Sequence, residues 1–122
     1  MKKILLFILF PVISYGQIQI GEDINGESLE DHFGTSTSLS CDGNILAVGA
    51  FNNDGNGINS GQVQIFGNQG GNWIQIGQNI NGEVIGDHFG SSISLSCDGN
   101  IIAIGASNSC LLYTSPSPRD RG

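Results

Sequence analysis

The chain has 122 residues and a formal net charge of −7, and all four of its basic residues lie in the two end segments. Ten of the 11 acidic residues lie between positions 17 and 109, a stretch without Lys or Arg. A surface without cations cannot neutralise phosphates, so this composition excludes nucleic acid and anionic lipid as electrostatically attracted partners.

The N-terminal segment, MKKILLFILFPVISYG, has the plan of a cleaved secretory signal. Two lysines precede an apolar run at positions 4–13, and small residues stand near the end of the segment. The run is shorter than the roughly 20 residues that a transmembrane helix needs. We therefore predict a signal peptide at residues 1–16 and a mature chain without a membrane span, either secreted or displayed at the cell surface.

The middle of the chain is an internal repeat with an offset of 56 residues. Residues 18–50 and 74–106 align over 33 positions, of which nine differ and 24 are identical. Three of the nine differences exchange one aliphatic side chain for another, for example Leu46 for Ile102 and Val48 for Ile104, and Thr35 for Ser91 is similarly mild. Such substitutions keep the packing of a structural unit that occurs twice.

Strand periodicity dominates within the repeated unit. The segment SISLS alternates polar and apolar residues, and short apolar runs are separated by Asp-Gly and Gly-rich turns. We expect strands near residues 35–40, 45–51, 61–67 and 72–77, which form a four-stranded antiparallel meander. One such sheet cannot bury both of its faces, so repeated sheets must stack. The predicted fold class is therefore all-β, with antiparallel four-stranded blades of a β-propeller, truncated to about one and a half blades.

The motifs DHFGTSTSLSCDGNILAVGA and NNDGNGINSGQVQIF resemble the FG-GAP repeats of integrin alpha-type propellers, and more closely those of secreted proteins of the Bacteroidetes kind. The resemblance implies a first FG-GAP-like repeat at residues 33–88 and a second, truncated one at 89–109. It also implies that residues 17–32 hold the fourth strand of an incomplete blade, at 18–20, followed by a linker. In a closed ring, that strand could complete the last blade.

The C-terminal segment differs from everything before it. Its letters CLLYTSPSPRD resemble one reading frame of a sequencing-library adapter, so residues 110–122 are predicted to be an artefact outside the fold. The chain is then expected to be an N-terminal fragment whose further blades are missing. Without them, the second repeat should lack strand partners, and the chain should be poorly ordered beyond residue 77.

Calcium is the one cofactor that the sequence suggests. Asn52, Asp54 and Asn56 supply oxygen donors on a Gly-rich loop at residues 52–59, and Ca²⁺ prefers such ligands. The loop has only one carboxylate, however, and the same residues suit Asx turns without metal. The calcium loop of integrin-like propellers has no counterpart, because residues 41–44 and 97–100 are too few.

Two further residue pairs occur once in each repeat. Asp31-His32 and Asp87-His88 are expected on extended strands, where adjacent side chains point to opposite faces and cannot share a proton, so we predict a structural role. Cys41 and Cys97 are expected to be free thiols, because a disulfide needs Cα atoms within about 7 Å and equivalent points on adjacent blades usually lie further apart.

No residue pattern indicates catalysis, so we predict a non-enzymatic binding or adhesion module with an unidentified extracellular protein or glycan ligand. The alternative is the propeller domain of a larger extracellular hydrolase whose catalytic part is missing here. Further copies of the repeat beyond Ser109 would support the propeller, and a downstream catalytic domain would support the hydrolase.

Overall fold

The computed structural model describes residues 18–108 and the backbone of Leu112–Pro116. A 3-10 turn at Leu29–Asp31 precedes the first strand. The strands are β1 (Phe33–Leu39), β2 (Ile45–Ala50), β3 (Gln62–Gln69), β4 (Asn72–Gln75), β5 (Ile80–Asn81), β6 (Phe89–Leu95), β7 (Ile101–Ala106) and β8 (Leu112–Pro116). The four strands predicted for the first repeat are confirmed, with ends that differ by at most two residues.

The strands form two antiparallel sheets. The first sheet has the order β1-β2-β3-β4, with β5 also paired to β3, and the second has the order β6-β7-β8. The predicted meander is confirmed in the first sheet. The two-residue strand β5 was not predicted; it pairs with the start of β3, whereas β4 pairs with its end. Both sheets are consistent with partial propeller blades.

The hairpin between β1 and β2 is closed by the side chains of the sequence SCDGN. The Oδ1 atom of Asp42 accepts hydrogen bonds from Ser40 Oγ at 2.8 Å and from the Asn44 amide at 3.0 Å. The same bonds recur 56 residues later, between Asp98 and both Ser96 and Asn100. These Asx turns fix the register of both hairpins, because the register of a hairpin follows from its turn.

The Phe-Gly pair of each repeat lies at a β-bulge. Pairing shifts between Phe33 and Ser36 in the first sheet and between Phe89 and Ser92 in the second. The glycines that follow the two phenylalanines, Gly34 and Gly90, have φ angles of 91° and 93°, which side chains rarely tolerate. The bulge therefore explains why glycine stands at this position in both copies.

The core lies between the two sheets, which pack face to face. Alternate residues of β2 and β3 bring one face of the first sheet into this core, and residues of β6 and β7 bring the opposite face of the second. Complete burial of an Ile side chain contributes about 1.5–3 kcal/mol. The buried cluster consists of Ile45, Ala47, Val63 and Ile65 from the first sheet and Phe89, Ile102, Ile104 and Ala106 from the second.

Polar bonds hold the first strands of the two repeats side by side. Ser36 Oγ donates to the Gly90 carbonyl at 2.5 Å, and the Leu95 amide donates to Ser38 Oγ at 3.0 Å. The two repeats are therefore in contact along β1 and β6 as well as through the apolar core.

Cys41 and Cys97 form a disulfide, so the prediction of free thiols is wrong. The two Cα atoms are 4.7 Å apart, because each cysteine follows the first strand of its repeat by two residues and those strands are neighbours. The Cys41 amide also donates to the Cys97 carbonyl at 2.8 Å. The expectation of a larger separation fails because β1 and β6 lie side by side and are joined by hydrogen bonds.

The structure near both ends of the described residues differs from the sequence-based predictions. Strand β8 pairs with β7 from Leu112 to Pro116, so the expectation that the second repeat lacks strand partners is wrong. Residues 18–20 form no strand; the carbonyl of Ile20 instead accepts from the Trp73 indole at 3.1 Å. The predicted signal peptide at residues 1–16 lies outside the described residues, and so does most of the predicted artefact.

Candidate binding surface

Asp31 and Asn53 anchor the loop between β2 and β3. Both side chains are buried, and Asn53 Nδ2 donates to Asp31 Oδ2 at 2.8 Å. Asn53 Oδ1 in turn accepts from the Gly55 amide at 2.7 Å and from Gln62 Nε2 at 3.3 Å. Since the loss of any partner would leave a buried polar group unsatisfied, this network fixes the start of the loop.

Each histidine of the repeated Asp-His pair holds the asparagine that follows the second strand of its repeat. His32 and His88 both have a φ angle of 57°, and their Nδ1 atoms lie 2.7 and 2.8 Å from the amide nitrogens of Asn52 and Asn108. The Asn108 amide nitrogen also donates to the Gly86 carbonyl at 2.8 Å, which orients it toward the ring. An amide nitrogen can only donate, so with Asn108 in this orientation the Nδ1 atom of His88 is the partner that accepts.

These contacts agree with the structural role predicted for the Asp-His pairs, but not with the predicted geometry. Asp31 lies at the end of the 3-10 turn, and His32 has a left-handed backbone conformation, so neither residue is on an extended strand. The two side chains have different partners, since Asp31 binds Asn53 and His32 binds Asn52.

The three predicted calcium ligands are held by three different segments. Asn52 contacts His32, Asp54 Oδ1 accepts from the Asn59 amide at 2.8 Å, and Asn56 Nδ2 donates to the Gly82 carbonyl at 2.9 Å. Calcium needs six to eight oxygens around one point. Within residues 18–108, no three His, Cys, Asp or Glu side chains are grouped to hold a metal ion. The contacts favour turn formation by these residues, and the calcium site stays a prediction.

Three aromatic rings form a row across the two repeats. His32 stacks on Phe51 with ring centroids 5.2 Å apart, and Phe51 and His88 form a T-shaped pair with centroids 5.6 Å apart. This row was not predicted, because an aromatic residue follows the Gly-Ala pair only in the first repeat, where Phe51 stands, whereas Ser107 stands there in the second. A histidine at the same position of each repeat, with an aromatic residue after the first Gly-Ala pair, was the available signal.

Exposed aliphatic side chains extend this row. Leu29, which lines a groove with His32, is 99% exposed, and its counterpart in the second repeat, Ile85, is 66% exposed. Ile58 is also exposed, and its carbonyl accepts from the Gly86 amide at 2.9 Å, beside Ile85. We call this set the loop surface: Leu29, His32, Phe51, Ile58, Ile85 and His88.

Acidic residues alternate with the loop surface in the sequence. Glu30 follows Leu29, Asp54 lies four residues before Ile58, and Glu83 lies two residues before Ile85, all of them exposed. The stretch from 17 to 109 has no Lys or Arg. The loop surface thus combines apolar contact area with a negative electrostatic potential.

Comparisons with known proteins agree with the repeat architecture. Residues 25–66 match the family model described as FG-GAP repeat, a range that runs from the turn before β1 into β3. A search of curated proteins returns no match to the chain. Within the residues that the structure describes, no helix is long and apolar enough to cross a membrane. The matched model and the two stacked antiparallel sheets together support an FG-GAP-like repeat architecture in this chain.

Proposed function

We propose that this chain is a non-catalytic binding or adhesion module, which recognises an extracellular protein or glycan through the loop surface. The observation that supports the proposal is the exposure of Leu29 and Ile85 at equivalent positions of the two repeats. Exposed apolar side chains that are grouped on one surface typically mark an interaction site. Contact at equivalent positions in two repeats would engage one ligand at two points.

The hydrogen bonds behind the loop surface favour binding. Asn52 and Asn108 hold the two histidine rings, and Asp31 with Asn53 holds the loop that carries Phe51 and Ile58. A surface that is ordered before the ligand arrives loses less conformational entropy on binding. The acidic neighbours favour a ligand that is neutral or positively charged over an anionic polysaccharide.

Export to the cell surface or the medium is part of the proposal. The N-terminal segment has the plan of a secretory signal, and the Cys41–Cys97 disulfide is of a kind that persists in oxidising compartments. A ligand outside the cell would meet the loop surface directly.

The test is a binding screen with the biotinylated chain against a glycan array and a panel of extracellular matrix proteins. We expect a retained ligand whose affinity falls about tenfold or more in Leu29→Asp or Ile85→Asp, a loss of about 1.4 kcal/mol. Ile74→Asp is the control, because Ile74 is 46% exposed on β4, outside the loop surface.

Two results would contradict this proposal. Equal binding by all three variants would show that the ligand does not contact the loop surface. Release of reducing sugars or peptides from a panel member would favour the hydrolase alternative over a binding module.

A further inference from the structure

The second sheet exposes a face whose counterpart in the first sheet is buried. Ile101 is 56% exposed, whereas the equivalent Ile45 is 3% exposed. Ala103 is likewise only half-buried, whereas Ala47 is fully buried. Alternation along β7 and cross-strand pairing with β6 place these residues on one face. We call it the open face: Ser92, Ser94, Ile101, Ala103 and Gly105.

The first sheet has the complementary face, on the side away from the core. Leu39 is 53% exposed and Leu46 is half-buried, whereas their counterparts in the second repeat, Leu95 and Ile102, are half-buried and fully buried. Thr37 lies on the same face, opposite Val48 in the pairing of β1 with β2. Val48 itself is only 4% exposed, so the accessible part of this face consists of Thr37, Leu39 and Leu46, and we call it the far face.

The interface inside the chain shows what such faces bind. The face of the first sheet that contains Ser36, Ser38, Ile45, Ala47 and Gly49 is covered by residues of the second sheet that correspond to the far face. The open face has the same serines, alanine and glycine at the equivalent positions of the second repeat, and Ile101 stands where the covered face has Ile45. The open face therefore has the shape and chemistry to accept a far face.

We propose that two copies of this chain associate head to tail, with the open face of one copy covering the far face of the other. The interface is heterologous, so each copy keeps one face for a further neighbour, and growth ends when a ring closes. Because Cys41 and Cys97 are already joined within one chain, neither of these two cysteines is available to link copies. Both faces lack charged residues, so salt should strengthen the association of these acidic chains by screening their repulsion.

The test measures molar mass by light scattering over a range of concentrations of the full chain. We expect the mass of the wild type to rise above the 12.8 kDa of one chain as concentration increases. Ile101→Asp blocks the open face and Leu39→Asp blocks the far face, so each variant alone should remain a monomer. Both side chains are more than half exposed, so the fold should tolerate the changes, and circular dichroism checks this.

The decisive sample is an equimolar mixture of the two variants. Ile101→Asp retains its far face and Leu39→Asp retains its open face, so the mixture should form a 1:1 complex of twice the single-chain mass and grow no further. Val84→Asp is the control, because Val84 is 53% exposed outside both faces and should leave association unchanged. A monomeric wild type, unchanged association in either variant, or a mixture that stays monomeric would each overturn the proposal.

Discussion

Hydrogen bonds of polar side chains fix the shape of the loop between β2 and β3. Asn53 satisfies the buried carboxylate of Asp31 with its amide nitrogen and closes an Asx turn at Gly55 with its oxygen. An asparagine can do both because it carries two donors and an acceptor on one short side chain. The histidine that follows Asp31 then positions the neighbouring Asn52, so one dipeptide holds both asparagines.

Asn53→Ala should lower the free energy of unfolding by about 1–3 kcal/mol, because it leaves the buried Asp31 carboxylate without this partner. Asn56→Ala is the control from the same loop; Asn56 is exposed and makes one bond to Gly82, so its loss should cost less than about 1 kcal/mol. Urea denaturation of both variants measures the difference. Equal effects would show that the Asp31–Asn53 bond is not what holds the loop.

Removal of divalent cations should leave the melting temperature unchanged. The side chains of Asn52, Asp54 and Asn56 already have protein partners in three separate segments. Calcium present at 100 times its Kd would raise the free energy of unfolding by about 2.7 kcal/mol. This corresponds to a rise of several degrees in the melting temperature of a domain of this size. Calorimetry with EDTA and with excess calcium distinguishes the cases, and a lower melting temperature in EDTA would support the predicted calcium site.

The packing of the two sheets depends on small residues at the strands that meet. A Cβ atom on Gly49 would contact the Gly90 carbonyl of the second repeat and lie 3.1 Å from the Ile93 side chain. At the equivalent Gly105, the atoms that a Cβ would meet all belong to Ser92 of the same sheet. Glycine at this position therefore allows close contact between the two repeats in the first repeat, as Gly49. In the second repeat, as Gly105, it lies on the open face.

Gly49→Ala should destabilise the chain by about 1–3 kcal/mol, because the added methyl group pushes against the backbone of the neighbouring sheet. Gly105→Ala, the matched control, meets a serine hydroxyl that can change rotamer, so we expect a smaller loss. Chemical denaturation at a concentration where the wild type is a monomer avoids any effect of association. Similar losses in both variants would contradict the packing of the sheets at Gly49.

The disulfide between the repeats should stabilise the folded chain by about 2–4 kcal/mol, because it closes a long loop, with a sequence separation of 56 residues. In a Cys110→Ser background, so that no third thiol is present, dithiothreitol should lower the free energy of unfolding by that amount. The Cys41→Ser/Cys97→Ser variant should show the lower stability without dithiothreitol and no further change with it. If dithiothreitol left the free energy of unfolding of the Cys110→Ser chain unchanged, the disulfide would not stabilise the fold.

For the whole molecule, local patterns predicted the sheets, but not the contacts between them. Alternation at Thr37 and Leu39 and the Asp-Gly turns depend on neighbouring residues, so the meander could be derived from the sequence. The Cys41–Cys97 bridge and the contact of Phe51 with His88 depend on how closely two repeats approach. That distance follows from packing at Gly49 and Ser36, which no periodicity encodes.

One face of the first repeat packs on the opposite face of the second. The most direct test is a nuclear Overhauser measurement between the α-protons of Gly49 and the δ-methyl group of Ile93, in a sample with labelled glycine and isoleucine. The structure places these groups in contact, although they belong to different repeats. We predict a strong cross-peak at a concentration where the chain is a monomer. Assigned resonances without that cross-peak would contradict the packing on which this account depends.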